Sequence, residues 1–260
     1  MKRLKNRYIF PVVLTSLVFS LFSLWPVDTS RVRVKKVFDG DTVELSNGQH
    51  VRYIGMDAPE LERKTPSGWK EVHEPFGQEA KQLNEQLVLG KQVRLEFDVQ
   101  KQDKYKRLLA YCFVKEANRE VLVQAELLKK GLAYLYTFPP NIKYVDVFVA
   151  ALQEAKLKKV GIWFLDLAID SKDASKYIGE RKTVTGLIKR ARATGKTIRL
   201  AMGGLNVIIF KKELELFTKE GIDPAQYYRG KKVKVFGLIK EYEGQPEIIV
   251  SNPWQMEVVE

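Results

Sequence analysis

From Arg31 onward the chain alternates apolar and polar positions over short runs, broken by Gly, Asn and Pro. Alternation sends every second side chain to one face of a sheet, so these runs predict half-buried strands. Residues 31–38 alternate, 42–45 resume after Asp39-Gly40-Asp41, and 50–54 follow the turn signal Ser46-Asn47-Gly48, which together predict a three-stranded meander. Two further strands are expected over 92–99 and 107–114, joined by a polar turn at 100–106. The period lengthens to that of a helix at Ala80, Leu83, Leu87 and Val88, where Gly90 supplies the stop. Helices are also predicted over 122–130 and 144–160. Residues 61–75 have no periodic pattern and contain Trp69, His73 and several turn residues; they read as a long loop, unusual enough to suggest function.

A second set of runs begins after a short polar stretch at 166–176. Strands are predicted at 183–190, 197–202, 206–210, 232–239 and 247–250, with an edge at 255–259, a short helix at 213–218 and a turn at 242–246. The expected fold class is mainly β with flanking helices: a five-stranded barrel at 31–165, a linker at 166–176, and a second, partly open barrel of the oligonucleotide-binding type at 177–260. A chain of 260 residues is comfortable for two such cores.

Residues 1–30 differ from both. Lys2, Arg3, Lys5 and Arg7 precede an uncharged stretch from Tyr8 to Pro26, close to the ~20 residues of helix that cross a bilayer. The expectation is an N-terminal hydrophobic helix acting as a membrane anchor, with the remainder outside the cytoplasm; a cleaved signal followed by secretion is the alternative.

Composition narrows the partner and the metal. With 44 Lys+Arg against 32 Asp+Glu, the net charge of +12 favours a polyanion. One cysteine, Cys112, excludes an intramolecular disulfide, and with two histidines it supplies too few soft donors for a zinc site. A hard cation bound by oxygen is the type that the chain can hold. Asp39 and Asp41 bracket Gly40 between two strands, and Asp57-Ala58-Pro59-Glu60 closes another. Each has an ordinary reading as a turn, but carboxylates repeated at the ends of adjacent strands repel one another unless a cation intervenes. Arg52 and Arg107 read either as surface ion pairs or as guanidinium forks for phosphate oxygens.

Three segments then carry a resemblance. Asp39-Gly40-Asp41-Thr42, the stretch from Arg52 to Asp57-Ala58-Pro59-Glu60, and Asp103-Lys104-Tyr105-Lys106-Arg107-Leu108-Leu109-Ala110-Tyr111 resemble, in order and internal spacing, the motifs of the staphylococcal nuclease-like (thermonuclease) family. The resemblance covers residues 32–163 and implies a Ca2+-dependent endonuclease of low sequence specificity that leaves 3′-phosphate ends on DNA or RNA. It implies that Asp41, Asp57 and the Ala58 carbonyl hold the cation, with Asp39 shaping the pocket. Glu60 would be the general base, Arg52 and Arg107 the phosphate clamp, and Lys104, Tyr105, Tyr134 and Tyr136 substrate contacts. Lys106 departs from the pattern, since family members often have Gly there. The second unit resembles nucleic-acid-binding domains less specifically; Lys189, Arg190, Arg192 and Tyr242 are its candidate contacts. The alternative function is a non-catalytic nucleic-acid-binding protein using the same barrel at the cell envelope. No obligate protein partner is expected.

Overall fold

The computed structural model describes residues 31–65, 68–72, 74–137, 139–165 and 167–259. In chain order the first part comprises β1 (Val32–Val37), β2 (Thr42–Leu45), β3 (His50–Tyr53), β4 (Gly55–Asp57), β5 (Glu62–Thr65), β6 (Gly68–Glu71), α1 (Gly77–Val88), β7 (Gln92–Glu96), β8 (Leu108–Glu116), β9 (Arg119–Leu122), α2 (Val123–Lys129), β10 (Tyr134–Tyr136) and α3 (Val145–Lys158). β1 pairs with β2 and β2 with β3, both antiparallel; β3 then runs parallel to β8, which returns through β7 to β1. This circuit closes a five-stranded barrel, and closure removes the exposed edges of the meander. The expected barrel is present, and β9 extends it as a hairpin on β8.

The alternation explains what fills it. Val34, Val43, Val51, Val93, Ala110 and Cys112 are fully buried, while intervening positions such as Lys35, Lys36 and Gln92 face out. Cys112 packs as a small hydrophobe, and burial pushes its thiol up to about 12. Ala80 and Val88 on α1, Leu127 and Leu128 on α2, and Phe148 and Ala155 on α3 close the same core. Gly40 is required by a close approach: a Cβ there would stand 2.6 Å from the Ala58 Cβ and 2.8 Å from the Ala80 Cβ. The turn carrying Asp39 and Asp41 is thereby pressed against both α1 and the end of β4.

The described residues within 61–75 are not the irregular loop that their pattern suggested. β5 and β6 form an antiparallel hairpin, with Glu62 opposite Glu71 and Thr65 opposite Gly68. Its pairing is a backbone ladder with no apolar alternation, so periodicity could not reveal it.

The remainder comprises β11 (Ile169–Asp170), β12 (Arg181–Leu187), β13 (Arg190–Ala193), β14 (Thr197–Ala201), β15 (Asn206–Phe210), α4 (Leu214–Lys219), α5 (Pro224–Tyr227), β16 (Lys232–Tyr242), β17 (Gln245–Ile249) and β18 (Met256–Val258). The stretch expected as a linker holds β11 and a 3-10 turn at Ser171–Tyr177, in which Ser171 and Ala174 are buried. These elements enclose a second apolar cluster that includes Val184, Leu200, Phe217, Val235 and Ile248.

The expectation of a second barrel is corrected. The strands run as an open path, β11-β12-β16-β17-β15-β14-β13, with β18 on β16. Among the described residues no ladder joins β13 to β11 or β12. Parallel pairing with β11 occupies one edge of β12, and β13 presents the exposed Arg190 and Arg192 at the far edge, a device that discourages strand addition. The class is therefore a mixed α and β fold, with one closed barrel and one open sheet.

The anchor expectation is also set aside. No helix among the described residues is long and apolar enough to cross a membrane, and the expected hydrophobic helix at 1–30 lies outside the described residues. Membrane tethering, signal anchoring and export are accordingly not assigned to the protein.

Candidate active site

The Asp39-Gly40-Asp41-Thr42 turn links β1 to β2. Asp39 Oδ1 accepts the Asp41 amide at 2.8 Å, a local turn of the type short acidic residues form. Asp41 then points inward, with Oδ1 accepting the Thr42 hydroxyl at 2.9 Å and Oδ2 accepting the Ala58 amide at 2.7 Å. Behind the turn, buried Asn84 of α1 donates to the Asp39 carbonyl at 3.0 Å and accepts the Tyr53 hydroxyl at 3.0 Å. Sequence pattern did not single out Asn84, a polar residue on the apolar face of a helix. That misplacement was the available signal.

Arg52 stands in β3, opposite Thr42 of β2 and Leu109 of β8. Its Nη1 lies 3.1 Å from Asp41 Oδ2 and donates to the carbonyls of Tyr53 (3.1 Å) and Met56 (2.9 Å). Its Nη2 donates to Asp57 Oδ1 at 2.6 Å. One buried guanidinium therefore bridges both acids. Burial opposes its charge, but Asp41, Asp57, Asp39 and Glu60 overcome this and hold Arg52 more firmly protonated than usual. Burial also raises Asp41 well above the ordinary carboxylate range; Arg52 opposes the rise, and the charges of Asp39 and Asp57 add to it.

Glu60 follows Pro59 beyond β4. Its amide donates to Glu74 Oε2 at 3.0 Å, which ties the segment to the residues preceding α1. Half-burial raises its carboxyl to about 6, helped by the negative charges of Asp57 and Asp39 and opposed by Arg52. A group with this value is largely ionised at pH 7 and still able to accept a proton.

Arg107 is arranged differently. Asp103 accepts its Nε at 2.7 Å and its amide at 3.0 Å, and also the Tyr105 amide at 2.9 Å. Its guanidinium stands 5.6 Å from the centre of the exposed Tyr105 ring, which Lys104 also approaches at 5.0 Å. Lys106 adopts a left-handed conformation, φ 65°, where the glycine common in the family would sit without strain. Arg107 is held by Asp103 rather than by the carboxylates that Arg52 bridges.

β10 pairs antiparallel with β4, which sets Tyr134 opposite Asp57 and Tyr136 opposite Gly55. Tyr136 is half-exposed, whereas the Tyr134 ring stacks on Phe236 of β16 at 5.2 Å. Gly55 (φ 89°) accommodates Phe148 beneath this ribbon. In the second unit Lys189, Arg190 and Arg192 are exposed on or beside β13. Tyr242 is exposed at the end of β16, several strands away in the sheet order.

A second residue, besides Asn84, was not foreseen. Arg181, at the start of β12, donates through Nη2 to Asp57 Oδ2, 124 residues away in sequence, and its guanidinium lies 4.8 Å from the Tyr134 ring centre.

Asp41 and Asp57 share one guanidinium, are largely buried and offer oxygen atoms only. Among the described residues no group of three or more His, Cys, Asp or Glu side chains converges as a complete metal cage. Asp41 and Asp57 thus supply oxygen donors of the type a hard cation takes, with Arg52 bridging the two acids and Arg181 on the second Asp57 oxygen.

Residues 50–164 match the family described as staphylococcal nuclease homologue. The chain is similar to the SPbeta prophage-derived endonuclease YokF of Bacillus subtilis, at 40% identity over 51% of this chain and 43% of that protein. It is similar to endonuclease YncB of the same organism, at 41% identity over 51% of this chain and 61% of the relative. To the thermonuclease of Staphylococcus intermedius it is 37% identical, over 50% of this chain and 74% of the relative. It thus spans less than two thirds of the two Bacillus endonucleases.

Proposed function

The chain belongs to the staphylococcal nuclease homologue family, and from that membership we propose that it is a metal-dependent nuclease hydrolysing phosphodiester bonds of DNA or RNA. The observation that carries the proposal is the convergence of Asp41, Arg52 and Asp57 in one ion-paired cluster, of which Arg52 and Asp57 also act on Glu60. Calcium is the cation that the family resemblance implies. Asp41, Asp57 and the Ala58 carbonyl would hold it, within a pocket shaped by Asp39, and when bound it would supply positive charge beside the scissile phosphate.

The chain's own residues account for the remaining steps. Glu60, raised to about 6, takes a proton from water as it attacks phosphorus in line; the bond to the 5′ oxygen breaks on the opposite side, and the departing 5′ alkoxide takes a proton from solvent to leave as the 5′ hydroxyl. Arg52, kept protonated by four acids, is suited to the oxygens on which charge accumulates; losing such a donor typically costs about 3–4 kcal/mol of barrier. Arg107 takes the second clamp role by exchanging Asp103 for a phosphate oxygen. Lys104 and Tyr105, beside it, and Tyr134 and Tyr136, on the ribbon with β4, contact the neighbouring nucleotide. None of these groups reads base edges, so cleavage has low sequence specificity, with 3′-phosphate ends expected. We further assign residues 31–165 and 177–260 as two domains. Lys189, Arg190, Arg192 and Tyr242 in the second are auxiliary nucleic-acid contacts, favoured by their exposure.

A specific observation favours a second reading, non-catalytic nucleic-acid binding. Asp57 has a guanidinium on each oxygen, and Arg107 is engaged by Asp103. Incubating the full chain with supercoiled plasmid, in calcium or in chelator, separates the two. Calcium-dependent nicking supports the nuclease; salt-sensitive binding without nicking in either condition rejects it in favour of the binding protein.

A further inference from the structure

Asp57 is contacted from both sides: Arg52 holds Oδ1, and Arg181, from the second unit, holds Oδ2. The two guanidiniums are not equivalent. Arg52 is fixed by Asp41 and two backbone carbonyls in addition to Asp57, and its side chain is 13% exposed. Arg181 has Asp57 and the face of Tyr134, with 23% of its side chain exposed. Nor does Arg181 alone dock the second unit, because Phe236 packs on both Tyr134 (5.2 Å) and Trp163 (5.1 Å).

We propose that Arg181 is a phosphate-binding residue of the active site, supplied by the second unit and resting on Asp57 until a nucleic-acid strand arrives. This rests on the nucleic-acid-binding part of the function proposed above. Any cation that takes Asp57 must displace a guanidinium from it, and the less anchored Arg181 yields first. Its charge then lies beside another positive charge and requires an anion. A phosphodiester reaching the exposed part of the Arg181 side chain supplies one, with an oxygen pair that matches the guanidinium fork. The Tyr134 ring, 4.8 Å from the guanidinium, keeps the side chain beside Asp57 throughout. A residue that only fastened the two units would influence folding stability and leave strand affinity unchanged.

The test measures binding rather than turnover. Fluorescence anisotropy with a short single-stranded DNA in calcium is recorded across a salt series for the full chain carrying Glu60→Gln, with and without Arg181→Gln or Arg181→Lys. Loss of one charge-assisted contact should weaken binding about tenfold for Arg181→Gln. The log–log salt dependence should become shallower by about 0.7, the value for one phosphate on a single strand. Calorimetric calcium binding without DNA should tighten, because a competitor for Asp57 is gone. Arg181→Lys should keep the salt slope but lose affinity, since an ammonium cannot reproduce the fork. If Arg181→Gln fails to fold, Arg181→Lys decides alone, and unchanged affinity there overturns the proposal. Unchanged affinity and slope in a folded Arg181→Gln overturn it as well. If the chain with Arg181 intact does not bind DNA, the nucleic-acid reading itself fails, which is a distinguishable result.

Discussion

Replacing Arg52 by alanine removes the guanidinium that bridges Asp41 and Asp57. The loss comprises contacts of 3.1 Å and 2.6 Å to the two carboxylates and hydrogen bonds to the Tyr53 and Met56 carbonyls. Removing one partner of a buried ion pair costs about 3–5 kcal/mol, because the remaining charge stays desolvated. Two bereaved carbonyls would add to this, but Asp41 can relieve part of it by protonating. Burial already raises Asp41 well above its ordinary value, and Arg52 opposes that rise; without Arg52 it rises further. We therefore expect a net destabilisation of about 3–5 kcal/mol near neutral pH. The sign of the pH dependence follows from the raised value. An acid whose folded-state pKa lies above the unfolded one favours the folded state when protonated, and that contribution is lost as pH rises through the folded value. The deficit of Arg52→Ala relative to the parent should therefore be larger at pH 8 than at pH 5. Urea unfolding of both chains at three pH values measures it. A loss below about 1 kcal/mol, the range of an exposed pair, or a deficit that grows on acidification, refutes the buried-cluster reasoning.

Gly40→Ala places a methyl 2.6 Å from the Ala58 Cβ and 2.8 Å from the Ala80 Cβ; overpacking should cost about 1–3 kcal/mol in thermal or urea unfolding, with nuclease activity falling as the Asp39–Asp41 turn shifts. Lys106→Gly releases a left-handed lysine, φ 65°, and should stabilise the chain by about 0.5–1 kcal/mol, the left-handed penalty less the entropy that glycine adds to the unfolded state; a lower midpoint would show that the turn needs the lysine. The acid limb of kcat/KM should follow Glu60, whose burial and acidic neighbours place it at about 6. A general base works when ionised, so activity is present above this value and lost below it; added calcium should move the limb downward, and a limb unaltered in Glu60→Asp would assign it to another group.

The barrel was largely legible because its short β-rich runs are separated by strong turn signals, although β8 is buried on both faces over its middle rather than alternating. Val43 and Val51 lie in two of the runs read as half-buried strands, and both are fully buried. The acids and Arg52 stood out as clustered turn chemistry, but Arg52 bridging Asp41 and Asp57 depends on β2 and β3 pairing in the observed register, which local pattern does not specify. The β5–β6 ladder was missed because its sequence carries no apolar alternation. The open second sheet was misjudged because strand count does not reveal which edges pair. Arg181 was beyond reach for a different reason: its partner lies 124 residues away, and an arginine opening a strand is ordinary on its face. The anchor segment stood out by hydropathy, but it lies outside the described residues.

The central claim is that Glu60 activates water in a site built by Asp41, Arg52 and Asp57. Single-turnover nicking of supercoiled plasmid in calcium at pH 8, comparing the parent chain with Glu60→Gln, tests it most directly. Loss of a positioned general base should slow cleavage by about 100- to 10,000-fold, with plasmid affinity retained. Nicking by Glu60→Gln at the parental rate, or a parent chain that binds plasmid and never nicks it, contradicts the claim.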